Sequence, residues 1–308
     1  MKNYQQGVAL ITVLLIVAMA TTIAAFMAQQ QGFWQREFEN SRDRAQARRI
    51  AQAGVDWARA VLGDDETNKA NNQIDHAREM WAMKLPPIPI EGGEVQGLIV
   101  DQQGLFNLNN LVLAGSVSPG ALARFQRLLS TLGMPPEMAV ALADWMDADS
   151  LTLESGGAED SYYLNLPKPY RTANRPLVEM SELMWVQGFG ENAIKRLSGF
   201  VTVLPEERTQ VNVNFASAEV LSAMVAGLPL QDARELVTWR KDHPFESVPQ
   251  FMGRLPAGAE QDGVADLSVG SKYFLVEGHA VQGQAEFSAQ ALLLRNNIWA
   301  TVVRQSVL

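Results

Sequence analysis

A chain of 308 residues has room for more than one packed core, and an apolar content of 47% suits a folded protein that also carries an anchor. A formal charge of −9 argues against a phosphate-binding surface, which needs clustered Lys and Arg. The absence of cysteine excludes disulfides, thiolate metal sites and cysteine nucleophiles, and His76, His243 and His279 lie too far apart in sequence to support a local histidine metal centre.

The chain opens with a short polar leader, Met1 to Gly7, followed by 21 uncharged and mostly apolar residues, Val8 to Ala28. At about 1.5 Å per residue the apolar run reaches roughly 30 Å, the thickness of a bilayer's hydrocarbon core. Three readings compete: a cleaved secretory signal, an ordinary anchor, and the retained tail of a filament subunit. Ala18-Met19-Ala20 has the form of a signal cleavage site, but the apolar run continues through Met27, so a cut there leaves a greasy mature end. From Gln29 the pattern turns amphipathic. Trp34 with Phe38, then Ile50, Ala53, Trp57 and Val61, recur at helical spacing and predict one helix from about Val8 to Leu62, stopped by Gly63-Asp64-Asp65. An anchor followed by a separate helix fits the same pattern.

Residues 64–93 read as loop and short helix, with Pro86-Pro87-Ile88-Pro89 and Gly92-Gly93 as breakers. Residues 94–100 and 104–108 predict two strands joined near Asp101-Gln102-Gln103, and 273–278, 285–294 and 299–304 predict an antiparallel meander. Mostly helical sequence lies between them. The expected fold class is therefore α+β: a long N-terminal helix on an antiparallel sheet, split by a large helical insert. The expected division is leader 1–7, membrane half of the helix 8–28, first part of the helix-and-sheet domain 29–108, insert 109–265 and C-terminal strands 266–308.

A weak repeat runs through the insert. "FNLNNL" at 106 has a counterpart in "VNVNFA" at 211, and Gly precedes Trp by twelve residues in both Gly133/Trp145 and Gly227/Trp239. The second copy resembles a helix-hairpin-helix (SAM-like) module of the DNA-uptake receptor type, which raises an alternative function in DNA handling. Its hairpin, Ala226-Gly227-Leu228-Pro229, suits phosphate poorly, because Pro229 has no N–H to donate and Asp232 and Glu235 oppose Arg234. A scaffold role with no nucleic acid is expected.

The stretch from Ala143 concentrates charge of one sign. Asp144, Asp147, Asp149, Glu154, Glu159 and Asp160 place six carboxylates in 17 residues, with no Lys or Arg from Leu128 through Pro167. A bound hard cation offsets such repulsion, and calcium, with six to eight oxygen ligands in flexible geometry, suits it better than magnesium. Asp147-x-Asp149 puts two carboxylates at a helix end, and Gly156-Gly157 permits a turn that returns Glu159 and Asp160. The loop is no EF-hand, since Leu151 and Ala158 stand where ligands are needed. A solvated acidic loop is the plain alternative. Paired carboxylates beside Trp145, Tyr162 and Tyr163 also raise glycoside hydrolysis. No nucleophile, base and oxyanion donors come together in a known motif, so no enzyme is expected.

Two stretches carry a family resemblance. The leader ending in Gly7, followed by Val8-Ala9-Leu10-Ile11-Thr12, resembles the type IV prepilin signal. That resemblance implies cleavage between Gly7 and Val8 by the prepilin peptidase, N-methylation of Val8 and retention of the apolar helix. The family usually has Phe or Met where Val8 stands and Glu where Thr12 stands. "DWMDADS…GGAEDSYYL…PYRTANRPLVEMSELMWVQGF" resembles the K-type minor pseudopilins of type II secretion systems, the general secretion pathway protein K family. It implies a single-pass inner-membrane protein with its soluble part in the periplasm, at the tip of the pseudopilus, where it seeds or caps the fibre that drives export of folded proteins. Implied partners are minor pseudopilins of the I, J and H types, the major pseudopilin fibre and the inner-membrane secretion platform. The resemblance also implies calcium, one or two ions, at Asp147, Asp149, Glu159 and Asp160, with Asp144 and Glu154 as further candidates. At a tip, Thr12 avoids a carboxylate stranded without a neighbour ahead.

Overall fold

The computed structural model describes residues 4–68, 74–84, 86–153, 155–260, 263–296 and 299–307. Helix α1, Tyr4–Asn68, is 65 residues long. No proline interrupts it, and threonines in its apolar half satisfy their own hydroxyls. Thr12 Oγ1 donates to the carbonyls of Ala9 (2.9 Å) and Val8 (3.1 Å), and Thr21 and Thr22 both donate to Ala18. Inward bonds of this kind let a hydroxyl sit in an apolar layer without an outside partner. The helix runs through Gly63-Asp64-Asp65, where the sequence predicts a stop. Leu62 and Gly63 are buried, and Arg295 holds Asp65 (2.7 Å) and Glu66 (3.3 Å). These tertiary contacts carry the last turn past a glycine that costs an isolated helix about 1 kcal/mol.

Strand β1, Ile88–Ile90, pairs antiparallel with β2, Gly93–Asp101. The proline-rich stretch read as a breaker thus contains a short strand. It lies at the sheet edge, where Pro89 removes no interior ladder bond. The predicted strand at 104–108 shrinks to β3, Phe106–Asn107, and does not join the sheet. The chain turns away at Gly104, whose N–H donates to Asp101 and whose missing side chain makes room for Phe215.

The insert then follows. It comprises the hairpin β4, Val112–Leu113, and β5, Ser116–Val117, then α2, Pro119–Thr131, α3, Glu137–Met146, α4, Asp160–Tyr163, and α5, Glu191–Leu197. After β6, Val201–Thr202, and β7, Val211–Asn212, come α6, Ala218–Met224, α7, Leu230–Trp239, α8, Val248–Met252, and β8, Leu267–Ser268. The C-terminal meander is β9, Tyr273–Gln282, β10, Ala285–Leu294, and β11, Thr301–Val307. The five-stranded sheet has the order β1-β2-β9-β10-β11 and is antiparallel throughout. Because β2 and β9 are neighbours, the chain leaves the sheet after Asp101 and re-enters it opposite, at the Asp101–Phe274 pair.

The C-terminal half of α1 lies on this sheet through Ala47, Ala51, Val55, Ala58 and Leu62, all buried. Alanines meet alanines at one end (Ala47 and Ala51 against Ala280 and Ala289), so the helix approaches closely. Larger side chains fill the other end, where Val55 and Leu62 pack with Phe274, Val276 and Leu293.

The two copies of the repeat fold alike. β3 pairs parallel with β6, and β7 pairs parallel with β8. Asn107 Oδ1 accepts from Asn109 N, and Asn212 Oδ1 accepts from Asn214 N. The second asparagine of each copy clamps a distant segment: Asn109 holds Leu177 and Leu204, and Asn214 holds both backbone groups of Phe245. Gly133 and Gly227 turn their helix hairpins at φ of 64° and 75°, a region that favours glycine.

Candidate metal centre

Asp144 lies on the last turn of α3, and Asp147 caps its C-terminus three residues later, so both carboxylates leave the same side of the helix. A turn at Ser155-Gly156-Gly157 reverses the chain and delivers Glu159, which immediately precedes α4. Ser155 (φ 57°) and Gly156 (φ 108°) are left-handed there. One carboxylate oxygen from each of Asp144, Asp147 and Glu159 lies within 4.8 Å of the others.

All three are buried, with relative exposures of 0%, 3% and 2%. Asp144 accepts a hydrogen bond from Leu153 N at 3.2 Å. Among the described residues, Asp147 Oδ1 and both carboxyl oxygens of Glu159 have no hydrogen-bond partner. Burial, reinforced by the neighbouring acids, pushes Asp147 up to about 6 and Glu159 up to about 7, and burial raises Asp144 as well. Unpartnered buried oxygens, aimed together and supplied only by carboxylates, are a donor set that fits a hard cation.

The other sequence candidates are placed differently. Asp149 is exposed, and its Oδ1 accepts from Leu151 N at 2.7 Å. Asp160 faces away: its Oδ1 accepts from Thr172 N and Oγ1, and its Oδ2 pairs with Arg171 at 3.3 Å. Glu154 lies outside the described residues. Trp145 and Tyr163 are core residues packed edge to face at 5.1 Å, so they offer no open face to a sugar.

A second acidic group, Asp65, Asp75 and Glu79, has equally close oxygens but already carries a cation. Arg295 reaches Asp75 at 2.5 Å and Asp65 at 2.7 Å. Sequence reading missed this network, because Arg295 stands more than 200 residues away from both acids and no local pattern links them. The contrast distinguishes the two clusters: one is paired with an arginine of the chain, and the other forms no ion pair among the described residues.

At the far end of the molecule, Gly7 and Val8 lie in the first turns of α1. Val8 and Thr12 are exposed. The hairpin compared with DNA-binding modules is covered by its own chain. A Cβ at Gly227 would stand 2.5 Å from the carbonyl of Gly258, and Glu260 N donates to Ala226 O.

Fold and site together define a pilin-like chain: a long helix whose first half is apolar enough to cross a membrane, a meander sheet, and an inserted helical domain with a buried acidic cluster. The family described as type II secretion system protein K matches residues 104–206 and 211–270. The chain is 39% identical to the type II secretion system protein K of Pseudomonas aeruginosa, over 90% of this chain and 84% of that one. It is 32% identical to that of Klebsiella pneumoniae, over 99% and 97% of the two chains. The chain belongs to the type II secretion system protein K family. Its fold is similar to a chain in the crystal structure of the GspK-GspI-GspJ complex from enterotoxigenic Escherichia coli. The TM-score is 0.76 at 26% identity, covering 90% of this chain and 99% of that one.

Proposed function

We propose that this chain is a minor pseudopilin at the tip of the type II secretion pseudopilus, where it seeds or caps the fibre. Thr12 carries this reading. Its hydroxyl is satisfied inside α1, so the apolar half needs no charge-compensating neighbour ahead of it. The bulk of the insert supports a position used once, at an end, because a fibre with this mass on every subunit would be crowded. Partners are the I-type and J-type minor pseudopilins, in keeping with the complex that holds the similar solved chain, together with an H-type subunit, the major pseudopilin and the secretion platform. The prepilin peptidase cuts between Gly7 and Val8. The apolar half of α1 stays in the inner membrane and the remainder lies in the periplasm.

Calcium occupies the acidic cluster in this reading. Asp144, Asp147 and Glu159 hold it, with Asp149 at its exposed edge, and it ties the end of α3 to the start of α4. The role is structural and the protein is not an enzyme. Gold-labelled antibody against the insert tests the tip assignment on fibres that contain this chain at native stoichiometry. Label at one fibre end is expected, and label along the shaft would overturn it.

A further inference from the structure

The two copies of the repeat differ at their hairpins. Each copy runs strand, helix, glycine hairpin, helix, short helix and strand, the acidic loop and α4 being extra to the first. So α5 corresponds to α8, and β6 to β8. In the first copy residues 198–200 alone join the short helix to the strand, whereas in the second the same join takes residues 253–266. Part of that longer join covers the second hairpin. Pro256-Ala257-Gly258-Ala259-Glu260 lies across it as a strap: Gly258 and Ala259 stand over Gly227, and Glu260 N donates to Ala226 O at 2.8 Å.

The first hairpin has no such strap. Leu132 corresponds to Ala226, and Gly133 to Gly227. Where the strap's N–H meets Ala226 O, the exposed Arg196 donates its guanidinium N–H to Leu132 O. The same guanidinium is what a Cβ at Gly133 would meet first, at 3.6 Å. Beside it a pocket of about 370 Å³ stays open, with Met134, Pro135, Met138, Asn192 and Arg196 in its walls. Gln187 lines the same pocket, and its Oε1 is buried with no hydrogen-bond partner among the described residues. A buried acceptor in that state is short of a donor. Phosphate does not fit the hairpin. Gly133 N and Met134 N donate to Ser130 O and Leu129 O, and Pro135 and Pro136 have no N–H, so no amide is left to face an anion.

We propose that the first hairpin and its pocket seat an extended segment of a partner protein, small residues followed by an acid, as the second hairpin seats 256–260. The chain itself supplies the template for this occupant. A backbone N–H replaces Arg196 on Leu132 O, and small side chains clear Gly133. The acid, placed as Glu260 is on the second hairpin, lies beside the released guanidinium. Backbone bonding gives such a segment its hold, and the arginine and the pocket give it selectivity. No residue of α1 lines the pocket, and the proposal does not depend on the tip reading.

The chain's own strap is the probe. A fluorescently labelled peptide with the sequence of residues 253–260 is titrated with the full-length chain in detergent and followed by anisotropy. Saturable binding is expected. Asn192→Trp, at an exposed position of α5 that lines the pocket, should weaken it at least tenfold with the thermal midpoint unchanged. Arg196→Glu should weaken it about fivefold, the reach of an exposed ion pair. The peptide carrying Glu260→Lys should regain that loss on the Arg196→Glu chain, a recovery that a merely damaged hairpin does not give. Absence of saturable binding to the parent chain would overturn the proposal. So would equal binding of a scrambled peptide, or binding that Asn192→Trp leaves unchanged, which would put the peptide elsewhere on the molecule.

Discussion

Gly157 sits against Asp144 so closely that a Cβ there would overlap Asp144 Oδ2 and stand 2.6 Å from the carbonyl of Leu153. The turn that returns Glu159 to α3 therefore depends on a missing side chain. Gly157→Ala should push the loop off the end of α3 and destabilise the protein by about 1–3 kcal/mol, the usual range for overpacking. Thermal unfolding with calcium present measures this, and an unchanged midpoint would show that the turn has slack.

The acidic cluster should make stability depend on calcium. A ligand at a hundred times its Kd stabilises by about 2.7 kcal/mol. A chelator should lower the thermal midpoint by several degrees, and excess calcium should restore it. Glu159→Gln should abolish the calcium response and, in chelator, melt above the parent, because it removes one of three buried like charges. Asp160→Asn should keep the response, since Asp160 serves Thr172 and Arg171 instead. Calorimetric scans of the three proteins with and without calcium separate these outcomes.

Asp101 should impose a pH dependence of its own. It is buried at the end of β2, and its Oδ2 has no hydrogen-bond partner among the described residues. Burial raises it from 3.8 to about 7, with Asp75 adding to the rise, against hydrogen bonds from Ser271 and Gly104 and the nearby Arg295. Its folded value exceeds its unfolded one, so its contribution is fully present below about pH 4 and is lost as pH rises through 7. Asp101→Asn should flatten this slope. Urea midpoints at pH 5, 6, 7 and 8 should show the parent losing stability relative to the variant as pH rises.

Thr12 offers a paired test in the membrane. Thr12→Val removes only bonds internal to the helix and should leave secretion near the parent level. Thr12→Glu places a carboxylate in the apolar layer and, at a tip, gives it no ammonium ahead. Export of a secreted substrate in a complemented deletion strain should fall with Glu and not with Val. Full export with Glu would mean that another subunit precedes this one.

The parts legible in the sequence are those governed by local period. The amphipathic pattern through Trp57 and Val61 foretold a helix continuous with the apolar run, and the alternation in 285–294 foretold a strand of the same bounds. What escaped depended on distant partners. The end of α1 is set by Arg295, the residue that follows β10. β1 was hidden by prolines that only an edge position tolerates, and β3 pairs with a strand almost a hundred residues on. Within the acidic loop, charge density pointed to the segment where three acids gather but could not say which acids turn inward. Asp144 and Asp147 do so because three residues of helix put them on one side, a spacing present in the sequence. Asp160 turns away for Thr172 and Arg171, which lie beyond α4 and carry no such signal.

The whole assembly reading requires that the first helix survive maturation. Intact-mass and N-terminal sequencing of the protein extracted from membranes of a strain with a working secretion system tests this directly. A mature chain beginning at Val8 and bearing one methyl group is expected. A chain beginning near Thr21, trimmed at the Ala18-Met19-Ala20 site, would contradict it.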